Sequence, residues 1–173
     1  GLIALKAGDQ EKAAQCFGNA AALEETKEAT GVLYLEKGEY QKAVEVLNGQ
    51  FSNNEGLAKL LVADYNAART ALSQVANPCA KTYYLLAVVS ARVNDSNSVF
   101  ENLKKAVELD EDEVYLNALA MSEVKLQQYE NALTHYKQLA LLCPGKENYK
   151  YNMITCLEAL GQLDTAIKML ENM

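Results

Sequence analysis

Two segments near the carboxyl end of the chain repeat one pattern and decide the fold. Residues 127–136 read QQYENALTHY, and residues 161–170 read GQLDTAIKML. The third position of each segment is aromatic or leucine and the sixth is alanine, and the two segments coincide after a shift of 34 residues. A fixed shift of this size is typical of repeated helix–turn–helix units. Residues 113–173 are therefore predicted to hold two copies of such a unit.

The same six-residue signature can be followed back to the beginning of the chain. Its first residue is usually small, which lets the chain reverse without a clash. Its sixth is usually alanine, which lets two helices approach closely. The spacing predicts six copies, of which the third is compressed. The signatures begin at Gly8, Gly38, Ala63, Asn94, Gln127 and Gly161, at intervals of 30, 25, 31, 33 and 34 residues.

An acidic residue follows the first position in four copies, where a helix is predicted to start. A side-chain oxygen there can accept a hydrogen bond from a free backbone N–H, and its charge suits the positive end of the helix dipole. We therefore expect Asp9, Glu39, Asp64 and Asp95 to cap their helices.

This pattern resembles the tetratricopeptide repeat (TPR) family. The second copy carries the resemblance in Gly31, Tyr34, Gly38, Tyr40, Ala43 and Leu47, and the fifth in Ala120, Tyr129, Ala132, Tyr136 and Pro144. The resemblance implies an all-α, right-handed superhelical solenoid of antiparallel helix pairs, with about six repeats, the first truncated and the third compressed.

Residues 1–173 are predicted to form a single solenoid that is a fragment of a longer protein. The short third interval predicts a first helix over Asn54–Leu61 and a second helix ended by Asn77-Pro78, since a residue before proline disfavours helical backbone. A bend near Asn77-Pro78 would divide the chain into sub-blocks 1–77 and 78–173.

Composition narrows the function classes. The chain is 50% hydrophobic and has only 2 prolines, as expected for a helical protein with a real core. Its net charge of −7 and pI of about 4.8 disfavour nucleic-acid binding, which usually needs a basic surface. No apolar run is long enough to span a membrane, so direct membrane insertion is not expected.

Residue chemistry predicts neither an enzyme nor a cofactor. The sequence has no phosphate-binding glycine loop and no nucleophile elbow. A lone histidine, His135, is interpreted as helix surface or groove edge. The acidic run Glu108–Glu113 is interpreted as a solvated turn between helices. The four cysteines at 16, 79, 143 and 156 have no metal-ligand spacing and are interpreted as small buried residues, with a Cys143–Cys156 disulfide left open.

The first helix of each repeat forms most of the inner wall in TPR proteins, so the resemblance implies where a partner binds. Helical spacing places Val114 on that side, together with the groove residues named below. Asparagine amides there can hold an extended backbone, and aromatic side chains can grip apolar ones. The key lysines of a chaperone-tail clamp are missing, so no such clamp is expected. The predicted partner-binding groove comprises Lys81, Tyr84, Val88, Arg92, Asn117, Met121, Lys125, Asn148, Tyr151, Asn152 and Thr155.

The sequence is compatible with two functions. The first is a protein–protein interaction module that holds a peptide or partner segment in the groove. The second is a structural spacer or self-assembly segment of a larger protein, in which Leu2, Ile3 and Leu5 at the truncated end would drive self-association. Residues 52–92 resemble the TPR tails of bacterial outer-membrane lipoproteins, which favours a periplasmic location.

Overall fold

The computed structural model describes residues 24–172, and this part of the chain is entirely helical, without a β-strand. Short turns join successive helices, so that the two helices of a pair run antiparallel. The predicted all-α fold of stacked helix pairs is therefore confirmed. The helices are α1 (Glu24–Glu36), α2 (Tyr40–Leu47), α3 (Asn53–Leu61), α4 (Tyr65–Ser73), α5 (Ala80–Arg92), α6 (Ser96–Leu109), α7 (Glu113–Lys125), α8 (Tyr129–Leu142), α9 (Asn148–Ala159) and α10 (Leu163–Glu171).

The chain divides into two compact units, with the boundary between Val93 and Asn94. In the amino-terminal unit, α1 packs on α2, α3 packs on α4, and α3 also contacts α1 and α5. In the carboxy-terminal unit, α6 to α10 pack in chain order, each on the next. The bend predicted near Asn77-Pro78 stays a prediction.

Five turns contain a residue with left-handed backbone, at the first position of each signature that the structure describes. The dihedral φ is 75° at Gly38 and 73° at Gly161, and it is also positive at Ala63, Asn94 and Gln127. In four of these turns the next N–H donates to the carbonyl five residues earlier, which closes a helix C-cap of the Schellman type. Backbone conformation rather than side-chain size thus defines this position.

Glycines in the first helices mark close helix packing. A Cβ on Gly31 would overlap the side chain of Leu47, and a Cβ on Gly56 would overlap that of Leu72. Both leucines are fully buried on the second helix of their pair. The helices of the second and third repeats therefore approach so closely that only glycine fits at these two positions.

Some local predictions differ from the structure. The helix α3 begins at Asn53, one residue earlier than predicted. The helix α4 ends at Ser73, four residues before the Asn77-Pro78 pair that was predicted to end it. Asp64 and Asp95 cap their helices as predicted, but Glu39 does not, because its longer side chain reaches Lys42 and forms an ion pair.

The first signature lies outside the described residues. The predictions for Gly8, Asp9, Cys16 and the Leu2–Leu5 self-association surface are therefore not addressed by the structure. Within residues 24–172, no helix has both the length and the apolar character that crossing a bilayer requires.

Candidate protein-binding face

The first helices of the last two repeats, α7 and α9, share one core with the second helix α8. Leu116 and Ala120 of α7 are buried in the same cluster as Met153 and Leu157 of α9. Because these buried residues lie on one side of each helix, the opposite sides of α7 and α9 are left to solvent.

The solvent-facing sides of α7 and α9 carry Val114 and seven of the eleven predicted groove residues. Val114, Met121 and Tyr151 are 53%, 49% and 54% exposed, which is high for large apolar side chains. We call this surface the α7–α9 face. Its other members are exposed or half-buried polar residues: Asn117, Lys125, Asn148, Asn152 and Thr155.

Four predicted groove residues lie on α5, in the amino-terminal unit. Lys81 and Arg92 are exposed, whereas Tyr84 and Val88 are half-buried. Six of the thirteen residues of α5 are buried and four more are half-buried, so this helix offers little open surface. None of the eleven predicted groove residues is buried, so each presents some surface to solvent, but whether they bind a partner stays a prediction.

Glu113, the first residue of α7, is the centre of a polar cluster that joins the two helices. Its carboxylate accepts a hydrogen bond from the Cys143 thiol at 3.2 Å and from the Lys146 ammonium at 2.5 Å. It also accepts a hydrogen bond from the Tyr149 hydroxyl, and the Tyr149 ring is buried. These bonds, led by that from Lys146, lower the pKa of Glu113 to about 2. The acidic run does mark a helix boundary, and residues 108–112 are exposed as interpreted, but Glu113 at its end is half-buried and bonded to the following repeat.

Glu113 predicts a defined acid dependence of stability. A depressed carboxyl pKa contributes stability that is present above the ordinary value of 4.5 and is lost as pH falls towards about 2. We expect wild type to be more stable than Glu113→Gln at neutral pH, and this margin to shrink between these two values. Urea denaturation at a series of pH values measures the margin, with Glu111→Gln as a charge-matched control. A margin that does not change with pH would contradict the assignment.

His135 is half-buried, with a side chain that is 24% exposed, and it contacts the preceding helix. Its Nδ1 is 2.7 Å from Oε2 of Glu123, whose side chain is only 3% exposed. A buried carboxylate needs such a partner, because its desolvation would otherwise be costly. The pair therefore stabilises the packing of α8 on α7, a role that the expected surface position did not include.

The cysteines occupy three different environments. Cys156 is buried as predicted, and burial raises the pKa of its thiol. Cys143 is half-buried and bonded to Glu113, and Cys79 is exposed at the start of α5, so the predicted burial was wrong for both. Hydrogen bonding from Thr82 lowers the pKa of Cys79. Cys143 and Cys156 are separate free thiols, and no disulfide joins them.

Solved structures with the same arrangement of helix pairs identify the fold. YrrB, described as a TPR protein with an unusual peptide-binding site, is similar over 91% of this chain and 90% of its own, with 18% identity and a TM-score of 0.74. The chain has the tetratricopeptide repeat fold. This confirms the resemblance that the signatures predicted.

Two further structural neighbours differ in how much of their own length is matched. MamA from Desulfovibrio magneticus RS-1 is 24% identical over 84% of this chain and 92% of its own, with a TM-score of 0.72. The Cut9–Hcn1 hetero-tetramer of the APC/C contains a chain matched over 96% of this chain but only 36% of its own, at 18% identity and a TM-score of 0.66. No protein-family model and no curated protein sequence matches this chain. At these identities the likeness establishes the fold.

Proposed function

We propose that this TPR chain is a non-catalytic protein-binding module that holds an extended peptide segment of a partner on the α7–α9 face. The observation that carries the proposal is the exposure of Val114, Met121 and Tyr151 beside three asparagines on the same two helices. An isolated exposed apolar side chain is ordinary, but three on two helices that share one core favour a binding surface.

The chemistry of the face suits a peptide. An asparagine amide offers both donors and an acceptor, which match the C=O and N–H groups of an extended backbone. Tyr151 offers an amphipathic ring, and Met121 a side chain that adapts to different apolar partners. The row from Val114 to Lys125 is about 17 Å long at 1.5 Å per residue, which is the length of roughly five extended residues.

The description of YrrB as a peptide-binding TPR protein favours the same class of ligand for this chain. We propose Lys81, Tyr84, Val88 and Arg92 as a second contact surface, on α5 of the amino-terminal unit. The alternative function is a structural spacer without a dedicated ligand, which would leave both surfaces unoccupied.

Selection of peptides tests the proposal directly. A phage-displayed library of random nonapeptides is panned on the full chain, and enriched peptides are labelled with fluorescein for anisotropy titration. We expect micromolar binding, and we expect Tyr151→Ala to weaken it at least about tenfold, because a truncated central aromatic typically costs more than 1 kcal/mol. Asn117→Ala is expected to weaken binding as well.

Two control substitutions test whether a loss of binding is specific to the α7–α9 face. Tyr40→Ala removes an exposed tyrosine of α2, and Asn131→Ala removes an exposed asparagine of α8. Both variants are expected to bind as wild type does. An acidic chaperone-tail peptide is expected not to bind at micromolar concentration, and its binding would contradict the absence of a tail clamp. A library that yields no enriched peptide, or equal losses in Tyr151→Ala and Tyr40→Ala, would overturn the proposed function in favour of the spacer.

A further inference from the structure

The polar cluster around Glu113 lies at one end of the α7–α9 face. Val114, the first exposed apolar residue on α7, directly follows Glu113 in sequence, and Asn148, the first exposed asparagine on α9, directly precedes Tyr149. The carboxylate of Glu113 therefore joins the first turn of α7 to the first turn of α9, just behind the exposed residues.

The contacts of Glu113 hold α9 in more than one direction. Tyr149 is 3% exposed and packs in the core shared by α7, α8 and α9, so this packing fixes the position of its hydroxyl group. Lys146 and Cys143 belong to the connection between α8 and α9, and their bonds hold that connection against α7. Three donors on one carboxylate restrict both the position and the rotation of α9 at its first turn.

We propose that Glu113 is a positioning residue for peptide binding, which sets the spacing between the exposed residues of α7 and those of α9. This inference rests on the proposed function of the α7–α9 face. An extended peptide that contacts both helices needs its pockets at a fixed separation, because its own side chains alternate at a fixed spacing. Loss of the carboxylate would leave the contact residues in place but allow their separation to vary, so that ordering them on binding would cost affinity.

The ionisation of Glu113 supports this role. Its lowered pKa keeps the carboxylate charged in mildly acidic as well as neutral solution, which retains the charge-assisted bond to Lys146. Burial and the bond to Glu113 raise the pKa of Tyr149, so its hydroxyl remains a donor under the same conditions. The cluster therefore remains assembled without any other ligand.

The test compares Glu113→Gln with Glu111→Gln, which removes the same charge from the same acidic run. Peptides enriched on the wild-type chain are titrated against both variants by fluorescence anisotropy. We expect Glu113→Gln to weaken binding about tenfold and Glu111→Gln to leave it unchanged. Lys146→Gln, at an exposed position, is expected to weaken binding about threefold, with Lys137→Gln on α8 as its control.

A second measurement tests the position of α9 relative to α7 in the absence of peptide. Backbone amide signals of residues 148–155 are compared by NMR, and the alkylation rate of Cys143 is followed by mass spectrometry. We expect Glu113→Gln to shift these signals and to accelerate alkylation, since the carboxylate raises the pKa of the Cys143 thiol. Glu111→Gln is expected to change neither.

The possible failures are distinguishable. If no peptide is enriched on the wild-type chain, the proposed function falls and this inference falls with it. If wild type binds peptide but Glu113→Gln binds equally well, the proposed function stands and the positioning role is overturned. Amide signals that are identical in Glu113→Gln and Glu111→Gln would also overturn it.

Discussion

Glu55→Ala is expected to lower the free energy of unfolding of the amino-terminal unit by about 3 kcal/mol, as does removal of one partner of a buried ion pair. The Glu55 side chain is 1% exposed, and Oε1 accepts a bond of 2.6 Å from the Lys59 ammonium. Its carboxylate also accepts hydrogen bonds from the N–H of Gly49 at 3.1 Å and of Phe51 at 2.6 Å. Alanine would leave these donors without their acceptor.

Glu55 also holds a backbone conformation that the loop would not adopt alone. The loop between α2 and α3 contains left-handed backbone at Gly49, with φ of 81°, and at Phe51, with φ of 48°. A bulky residue such as phenylalanine is rare in this region and costs about 1–2 kcal/mol there. The bond from the Phe51 N–H to Glu55 offsets that cost, so the variant is expected to rearrange the loop as well.

Urea denaturation followed by circular dichroism measures the loss. Glu45→Ala, at an exposed position of α2, is the control and is expected to change stability by about 0.5 kcal/mol or less. Equal losses in the two variants would show that the carboxylate of Glu55 contributes no more than an exposed one.

Gly56→Val is the second substitution for which we expect a large effect, a loss of about 3 kcal/mol. A Cβ at Gly56 would overlap Cγ and Cδ2 of Leu72, which is 1% exposed, and inserting methyl groups into a well-packed core typically costs about 1–3 kcal/mol. The overlap involves the branch point of the leucine, so rotation of its terminal methyl groups cannot relieve it.

A double-mutant cycle identifies the cause of this loss. Leu72→Ala alone is expected to cost about 2–5 kcal/mol through the cavity it leaves. In the Leu72→Ala background, valine at position 56 would fill the cavity. We therefore expect the free energy of unfolding of the double variant to be about 1–3 kcal/mol higher than the sum of the two single losses predicts. Gly145→Val, where a Cβ meets nothing within 4 Å, is the control. Strictly additive losses at 56 and 72 would refute the packing explanation.

Much of the fold could be predicted because its determinants are local. The signature starts at Gly38, Ala63, Asn94, Gln127 and Gly161 all have positive φ, since a helix C-cap needs one left-handed residue close to its own carbonyls. Which side of α9 faces solvent could also be predicted. Helical spacing places Tyr151 on the exposed side and Tyr149, two residues away, on the buried side. The binding role of these side chains remains a proposal.

Polar contacts between distant residues were not predicted. Glu113 looked like one more acid in a solvated run, yet it accepts bonds from residues 30, 33 and 36 positions later. Glu123 and His135 similarly meet across a helix pair. Helical periodicity assigns such charged residues to the surface, because it does not show which side chains of other helices lie next to them in the folded protein.

The sequence by itself determined the helix pairs, the turns and the sides of α7 and α9 that face solvent, because these follow from the period of the helix and from backbone sterics within a few residues. Only the tertiary structure decided that the Glu113 and Glu55 carboxylates connect separate segments, and that glycine is required opposite Leu47 and Leu72. The reason is that hydrogen bonds and van der Waals overlaps depend on distances of a few tenths of an ångström between helices, and those distances exist only after the helices have packed.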